Sequence, residues 1–243
     1  MTASEVFDRQ LSEWRLSVDP EARDRLFAYA DLLSRYEKAN VIGTRDFREI
    51  LQRHVLDSLS CLMFSQLRGT GRLADIGSGG GLPGIPLAVV LPEAEVTLIE
   101  SVGKKAAFLR YASDELGLAN VEVGNARVED VARVGNRRGT YDICTVRALA
   151  RLSVIAEYAL PLLGNGGHVV AMKGREDADE RAEGERAAAV LGGRVGGEIL
   201  VPQVACAEQR ERRLLLLEKT GETPSAYPRK TGTPARNPLG RRK

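Results

Sequence analysis

From about residue 70 onward, short apolar runs alternate with stretches of helical periodicity, and this alternation restricts the fold of the chain. The runs, bounded by Gly, Pro and Asn, are RLADI (72–76), EVTLIE (95–100), VEVGN (121–125), YDICTV (141–146) and GHVVAMK (167–173). Helical stretches such as 104–116 and 152–160 lie between them. Strands that alternate with helices predict a mostly parallel sheet covered on both faces. Two later runs, 198–202 and 214–219, lack a long helix between them and predict an antiparallel final pair. The prediction is an α/β domain with a seven-stranded, mostly parallel sheet.

The segments on either side of this alternation differ from it. Residues 1–68 read as a helical extension, in which Asp19 and Pro20 are suited to the cap and first turn of a helix. A further helix is predicted near 46–67, with core positions at Ile50, Val55, Leu59 and Leu62. Residues 221–243 are rich in Pro, Gly, Thr and Arg without periodicity, which predicts a flexible basic tail. The expected organisation is therefore 1–68, 69–220 and 221–243.

Composition limits the classes of protein that remain. There is no apolar run of about 18 residues and no secretory signal, so we expect no membrane partner. The three cysteines are far apart and form no CxxC pair, which argues against disulfides and a metal site and fits a reducing, cytoplasmic compartment. No coiled-coil pattern suggests a dimer, and a monomer is expected. Residues 225–243 hold six Lys or Arg and no acid, which favours a polyanionic partner.

The strongest local motif is LADIGSGGGLPGIP, residues 73–86, where a strand runs into a glycine-rich turn and then a helix near Gly84. Glycines allow a sharp turn and a close approach of backbone to ligand. The dinucleotide pattern GxGxxG would need glycine where Leu82 stands, and no Walker GK[ST] is present. The form D-x-G-x-G-x-G, through Asp75, Gly77 and Gly79, resembles the first motif of S-adenosylmethionine (SAM)-dependent methyltransferases. The loop favours SAM over NAD.

Glu100 ends the second predicted strand. A carboxylate at that place can accept hydrogen bonds from both ribose hydroxyls of an adenosine. This supports an adenosine-containing cofactor without separating SAM from NAD.

A wider resemblance narrows the choice. The run ADIGSGGGLPGIPLAVVLPEAEVTLIESVGKKAAFLR (74–110) resembles the RsmG family, also called GidB, of bacterial 16S ribosomal RNA guanine-N7 methyltransferases. Its pieces GLPGIP and SxGKKxxFLR are more specific than a glycine loop. Further similar segments, in the family's order, are RHVLDSL (53–59), ARVED (126–130), VRALARL (146–152), MKGR (172–175) and YPRKTGTPARNPLG (227–240). The resemblance implies a Rossmann-like methyltransferase fold, SAM as cofactor, and 16S rRNA or the small ribosomal subunit as partner.

The resemblance also implies roles for individual residues. Gly77 and Leu82 would touch SAM, Val128 and Glu129 would cover its adenine, and Arg147 would lie by both cofactor and target base. A planar guanidinium at that place could hydrogen-bond guanine O6 or a phosphate. The predicted cofactor site therefore comprises Asp75, Gly77, Gly79, Leu82, Glu100, Val128, Glu129 and Arg147, with Arg147 as the candidate catalytic residue. Candidate RNA contacts are Arg127, Lys173 and His54.

Methyl transfer to N7 of guanine needs no general base, because that nitrogen carries a lone pair and no proton. The protein would contribute placement and electrostatics. His54 and Asp57, three apart on a helix, could hydrogen-bond each other. Three alternatives stay open at this point: a SAM-dependent methyltransferase of another substrate, a nicotinamide dehydrogenase, and a non-catalytic rRNA-binding assembly protein.

Overall fold

The computed structural model describes residues 2–147, 150–174, 178–202 and 211–241. The strands are β1 (Arg72–Ile76), β2 (Glu95–Ile99), β3 (Val121–Gly124), β4 (Tyr141–Arg147), β5 (Leu163–Lys173), β6 (Gly193–Val201) and β7 (Arg212–Lys219). All seven strands form one sheet in the order β3-β2-β1-β4-β5-β7-β6. Neighbouring strands are parallel from β3 to β5, and β7 is antiparallel to both β5 and β6. The predicted mostly parallel sheet with an antiparallel final pair is confirmed.

Ten α-helical segments lie in the described ranges. They are α1 (Ala3–Glu13), α2 (Pro20–Arg35), α3 (Phe47–Ile50), α4 (Leu56–Leu59), α5 (Gly84–Val90), α6 (Gly103–Glu115), α7 (Val128–Val131), α8 (Leu152–Ala159), α9 (Ala178–Val190) and α10 (Thr233–Arg236). The predicted start of α2 is confirmed, since the Asp19 carboxylate accepts a hydrogen bond from the amide of Glu21 and Pro20 is the first helical residue. The helix expected over 46–67 is a chain of short turns: a π-helix, Leu51–Val55, separates α3 from α4, and two 3₁₀ turns follow, Ser60–Met63 and Ser65–Leu67.

Each face of the sheet has its own apolar core, because successive strand residues point to opposite faces. Leu73 and Ile143 pack on one face with α1 to α6. Ala74 and Cys144 pack on the other face with α7, α8 and α9. The N-terminal helices share the first core with the sheet, so residues 2–68 do not form a core of their own. Within the described ranges, no helix combines the length and apolarity needed to cross a bilayer.

The C-terminal segment differs from the flexible tail that its composition predicts. Its described part, 221–241, packs against the helices on the second face of the sheet, where Tyr227 and Leu239 are partly buried against the core and Pro234 is buried. Polar anchors in the domain hold this segment; for example, the buried Glu157 binds Arg229. A low-apolarity segment can be ordered in this way because specific hydrogen bonds and ion pairs replace the burial that it lacks. Arg242 and Lys243 lie outside the described residues.

Candidate functional site

The glycine-rich turn leaves the carboxyl end of β1 at the switch point of the sheet. The chain goes from β1 outward to β2 and β3 and returns to the other side of β1 as β4. Ligands of open α/β sheets bind where strand order reverses in this way. Gly77, Gly79 and Gly81 have φ values of +70°, +57° and +92°. Residues with a Cβ rarely adopt this region, so the alternate glycines follow from the backbone path.

The two carboxylates expected at this site are both nearly buried, with Asp75 1% and Glu100 6% exposed. Asp75 accepts hydrogen bonds from the Thr145 hydroxyl (2.8 Å) and the Gly84 amide (3.3 Å), and burial raises its pKa to about 6. Its carboxylate therefore joins β1, β4 and α5 inside the fold. Glu100 accepts from the amides of Gly79 (2.9 Å) and Val102 (2.7 Å), and so fixes the glycine turn to the end of β2. That either carboxylate also touches a cofactor stays a prediction.

The third expected part of the site follows β3. Asn125 donates from its side chain to the Glu100 carbonyl (2.9 Å), which ties the ends of β2 and β3 together. Helix α7 then begins with Val128 and Glu129, both buried, while Arg127 just before it is exposed. The structure thus brings the glycine turn, Glu100 and α7 to the carboxyl ends of three adjacent strands. Glu129 also accepts a hydrogen bond from the Gly232 amide of the C-terminal segment (2.8 Å).

A buried tyrosine on α2 supports the glycine turn from the side of the protein core. Tyr29, on α2, is fully buried and donates its hydroxyl proton to the Gly80 carbonyl. Burial raises the pKa of Tyr29 far above its ordinary value, so the hydroxyl keeps its proton. A Cβ added at Gly81 would lie 2.8 Å from the Tyr29 hydroxyl and 2.6 Å from Ile85. Sequence reasoning missed this residue: the helical spacing of α2 predicts a buried face but does not name what that face touches.

At the end of β4, Arg147 points toward the N-terminal helices. Its guanidinium lies 2.8 Å from Nδ1 of His54 and donates to the backbone carbonyls of Arg53 (3.2 Å) and His54 (3.4 Å). It also lies 3.4 Å from a carboxylate oxygen of Asp57. The π-helix that contains Arg53 and His54 widens the helix at this contact, and π-turns are frequent at functional sites. His54 and Asp57, which could hydrogen-bond each other on a regular helix, both contact Arg147 instead.

His54 is neutral at ordinary pH. Burial lowers its pKa to about 4, and the positive charge of Arg147 contributes in the same direction. A neutral ring can accept from Arg147 at Nδ1, which explains how a guanidinium and an imidazole lie in contact.

An open cleft of about 700 Å³ adjoins Arg147. Its charged lining comprises the cations Arg53, Arg147, Lys173, Arg212 and Arg213 and the acids Glu49, Asp57 and Glu211, with His54 among them. Arg212 lies 3.2 Å from Asp57. Lys173 is less available than the sequence suggests, since it pairs with Glu180 (2.5 Å) and donates to the Ala150 carbonyl (3.1 Å). The described lining holds five cations and three carboxylates, but Lys173 and Arg213 also pair with Glu180 and Glu198, so the cleft presents charged groups of both signs.

Arg212 and Arg213 are cleft residues that sequence reasoning did not find. They reach the cleft because β7 runs antiparallel, which brings its first residues to the edge where the parallel strands end; Arg213 pairs in register with Lys173. Two arginines directly before a strand predicted to be antiparallel were the available signal.

The structure brings most of the predicted site together in two adjacent groups. Asp75, Gly77, Gly79, Leu82, Glu100, Val128 and Glu129 belong to the ends of β1, β2 and β3, and His54, Arg147 and Lys173 belong to the cleft. Arg127 lies outside the residues that line the cleft. In the described ranges, no cluster of His, Cys, Asp and Glu is suited to a metal ion. Cys61 and Cys144 are buried free thiols, and Cys206 lies outside those ranges.

Comparison with known proteins agrees with this geometry. The family model described as rRNA small subunit methyltransferase G matches residues 23–210. A protein named ribosomal RNA small subunit methyltransferase G from Rubrobacter xylanophilus is 56% identical over 98% of this chain and 92% of its own length. One of the same name from Desulfitobacterium hafniense is 42% identical over 95% of each chain. A SAM-dependent methyltransferase from Aquifex aeolicus shares the fold, with a TM-score of 0.53 and 16% identity over 70% of this chain and 92% of that one.

Proposed function

Because the chain belongs to the rRNA small subunit methyltransferase G family, we propose that it transfers a methyl group from SAM to N7 of a guanine in 16S ribosomal RNA. The expectations of this family, of a Rossmann-like α/β fold and of a SAM-dependent methyltransferase are confirmed. The observation that carries the proposal is a glycine turn at the switch point of the sheet beside a charged cleft that Arg147, at the end of β4, helps to line.

The residues at the strand ends fit SAM. At Gly79 the turn is open, since a Cβ there would meet only the Gly77 carbonyl, at 3.8 Å. Glu100 uses one lone pair on each carboxylate oxygen for an amide and keeps others to accept ribose hydroxyls. Buried Val128 offers an apolar surface beside them. Gly77, Gly79, Leu82, Glu100, Val128 and Glu129 would hold the cofactor.

When bound, SAM supplies an electrophilic methyl group on a sulfonium. The chain has to place and orient the nucleophile rather than deprotonate it, since guanine N7 carries no proton. A neutral, Arg147-bound His54 agrees with this, because it is poorly suited to act as a base. Catalysis then comes mainly from positioning in a shaped, charged site.

Arg147 is suited to hold the target base. Its guanidinium is 18% exposed and is fixed by contacts to the π-helix, which leaves little rotamer freedom to lose on binding. A rigid fork of donors matches the O6 acceptor of guanine or a phosphate. We assign it the role of orienting the base, and His54 shapes its surroundings. Arg212, Arg213 and Lys173 would contact the RNA backbone by exchanging the acids that they bind for phosphate.

The role proposed for Arg147 limits where the target guanine can lie in the RNA. The target base has to leave any helix to enter the cleft, so it lies in a loop or another exposed position of the RNA. We further propose that the enzyme acts as a cytoplasmic monomer without a metal ion.

Mass spectrometry of 16S rRNA and an assay of methyl transfer from labelled SAM to small subunits test the function. Mass spectrometry of nucleosides from 16S rRNA of cells with and without the gene should show one 7-methylguanosine per molecule lost in the deletion. Restoration by the intact gene, but not by a Gly77→Ala copy expressed at the same level, would tie the loss to the glycine turn. An unchanged 7-methylguanosine content contradicts the proposal, and binding of small subunits without transfer from labelled SAM would favour a non-catalytic assembly protein.

A further inference from the structure

The C-terminal strap, residues 227–237, crosses the helices that follow β3 and β4. Its main anchor is Arg229, whose guanidinium and backbone amide bind the carboxylate of Glu157 on α8 with four contacts of 2.6 to 3.1 Å. The Glu157 side chain is completely buried. Loss of either partner would leave a buried unpaired charge, so the contact between the strap and α8 is costly to break.

From this anchor the strap reaches both acids at the start of α7. The Thr231 hydroxyl donates to Asp130 (2.7 Å), and the Gly232 amide donates to Glu129 (2.8 Å). Gly232 has φ +78°, a conformation that favours glycine and turns its amide toward Glu129.

The strap is also held beyond the end of α7. Arg133 donates to the Pro228 carbonyl (2.8 Å) and Arg138 to the Tyr227 carbonyl (2.7 Å). The whole connection from β3 to β4 is therefore attached to the strap, through two acids at its start and two arginines further on.

Helix α7 needs such support. It has four residues. A single helical turn is not stable by itself, because ordering its backbone loses more conformational entropy than its hydrogen bonds gain in free energy. Its position depends on tertiary contacts, and the strap supplies polar ones to two of its four residues. The same helix carries Val128 and Glu129 at the cofactor end of the sheet.

We propose that the C-terminal strap is a positioning element of the SAM site, which holds α7 so that Val128 and Glu129 face the adenosine. The proposal rests on the function assigned above. It gives the basic C-terminus an internal task, since Arg229 is committed to Glu157 and is not available to RNA. By reciprocity, a strap that favours cofactor binding is itself stabilised by the cofactor.

The first test uses the full wild-type chain and S-adenosylhomocysteine, the product of transfer. Hydrogen exchange of the strap amides should slow when this compound binds, while amides of β6, at the far edge of the sheet, serve as the internal reference. Exchange of the strap that is unchanged at saturating S-adenosylhomocysteine overturns the proposal.

The second test loosens the anchor without leaving a buried charge, by the double variant Glu157→Gln/Arg229→Ala. We expect its dissociation constant for S-adenosylhomocysteine, measured by calorimetry well below the melting temperature, to rise about tenfold. The matched control is Arg186→Ala, which removes the contact of α9 with the Gly240 carbonyl (2.6 Å), beyond the strap. The control should bind as wild type does.

The outcomes separate the two claims. Wild-type affinity in the double variant, or an equal loss in the Arg186→Ala control, would mean that the strap only adds general stability. Absence of binding by the wild-type chain would overturn the proposed function together with the strap.

Discussion

At the residue scale, similar side chains serve the site in different ways. Asp75 and Glu100 both end or nearly end a strand beside the glycine turn, and both look like cofactor ligands in the sequence. Each carboxylate oxygen of both residues accepts one hydrogen bond, but the partners of Asp75 lie inside the fold, whereas those of Glu100 are backbone amides at the edge of the sheet. The residue type was predictable, but which oxygen meets which donor depends on the packing of three elements.

His54 provides a pH test at this scale. Its folded pKa of about 4 lies below the ordinary value of 6.5, so it is neutral in both states above pH 6.5. As the pH falls from 6.5 toward 4, the unfolded chain takes up the proton first, and His54 lowers the stability of the fold. We expect the advantage in unfolding free energy of wild type over His54→Gln, measured in urea, to shrink between pH 7 and pH 5.

Asp75 acts in the opposite direction over part of this range. Its raised pKa means that acidification from about 6 toward 3.8 favours the folded state, but this contribution is common to wild type and variant and cancels in the difference. Direct titration by NMR should place the His54 midpoint well below 6. A midpoint near 6.5 would show that the ring is solvated and not held by Arg147.

At the element scale, the sequence predicts most of the fold because its patterns are local. Strands β1 to β4 and β7 and the starts of α2 and α5 follow from local periodicity and capping, whereas β5 and β6 begin four and five residues before the predicted runs. The π-helix Leu51–Val55 and the ordered strap were not predicted, since both depend on distant partners: Arg147 for the first, Glu157 and Glu129 for the second. Arg212 and Arg213 were not singled out, although the predicted antiparallel direction of β7 already implied that its first residues reach the edge where the parallel strands end.

The contact between α2 and the glycine turn yields a prediction at this scale. Tyr29→Phe removes the hydroxyl that donates to the Gly80 carbonyl and leaves that buried acceptor without its partner. One such hydrogen bond contributes about 1 kcal/mol, so we expect SAM affinity to fall about fivefold by calorimetry. Tyr111→Phe, on the exposed face of α6, is the matched control and should bind normally. Equal affinity for wild type and Tyr29→Phe would mean that the N-terminal helices do not support the turn.

At the scale of the whole molecule, one edge of the sheet carries two proposed sites, which would bind their ligands through different kinds of interaction. The cofactor end is built from backbone, glycines and a few buried groups, whereas the cleft is lined by charges at the ends of β4, β5 and β7. Helices from the N-terminal region contact the glycine turn through Tyr29 and line the cleft, so residues 2–68 belong to the proposed site rather than to a separate appendage.

Salt should separate the two sites. Each contact to a phosphate releases counterions from the RNA, so binding becomes weaker as salt rises. With three such contacts, RNA affinity should fall about tenfold or more between 50 and 200 mM salt. SAM binding should change little over the same range, because few charge pairs face solvent there. Filter binding of labelled small-subunit RNA and calorimetry of SAM measure the two curves. Parallel curves would contradict a division between a charged cleft and a largely backbone-built cofactor site.

Calorimetry of SAM with the variants Gly77→Ala and Gly69→Ala tests whether the turn after Ile76 holds the cofactor. Both glycines have positive φ, +70° and +83°, so alanine strains the backbone similarly in each, and only Gly77 lies at the proposed cofactor site. We expect wild type and Gly69→Ala to bind SAM alike and Gly77→Ala to lose about tenfold or more in affinity. Equal binding by all three proteins, or no binding by wild type, would contradict it.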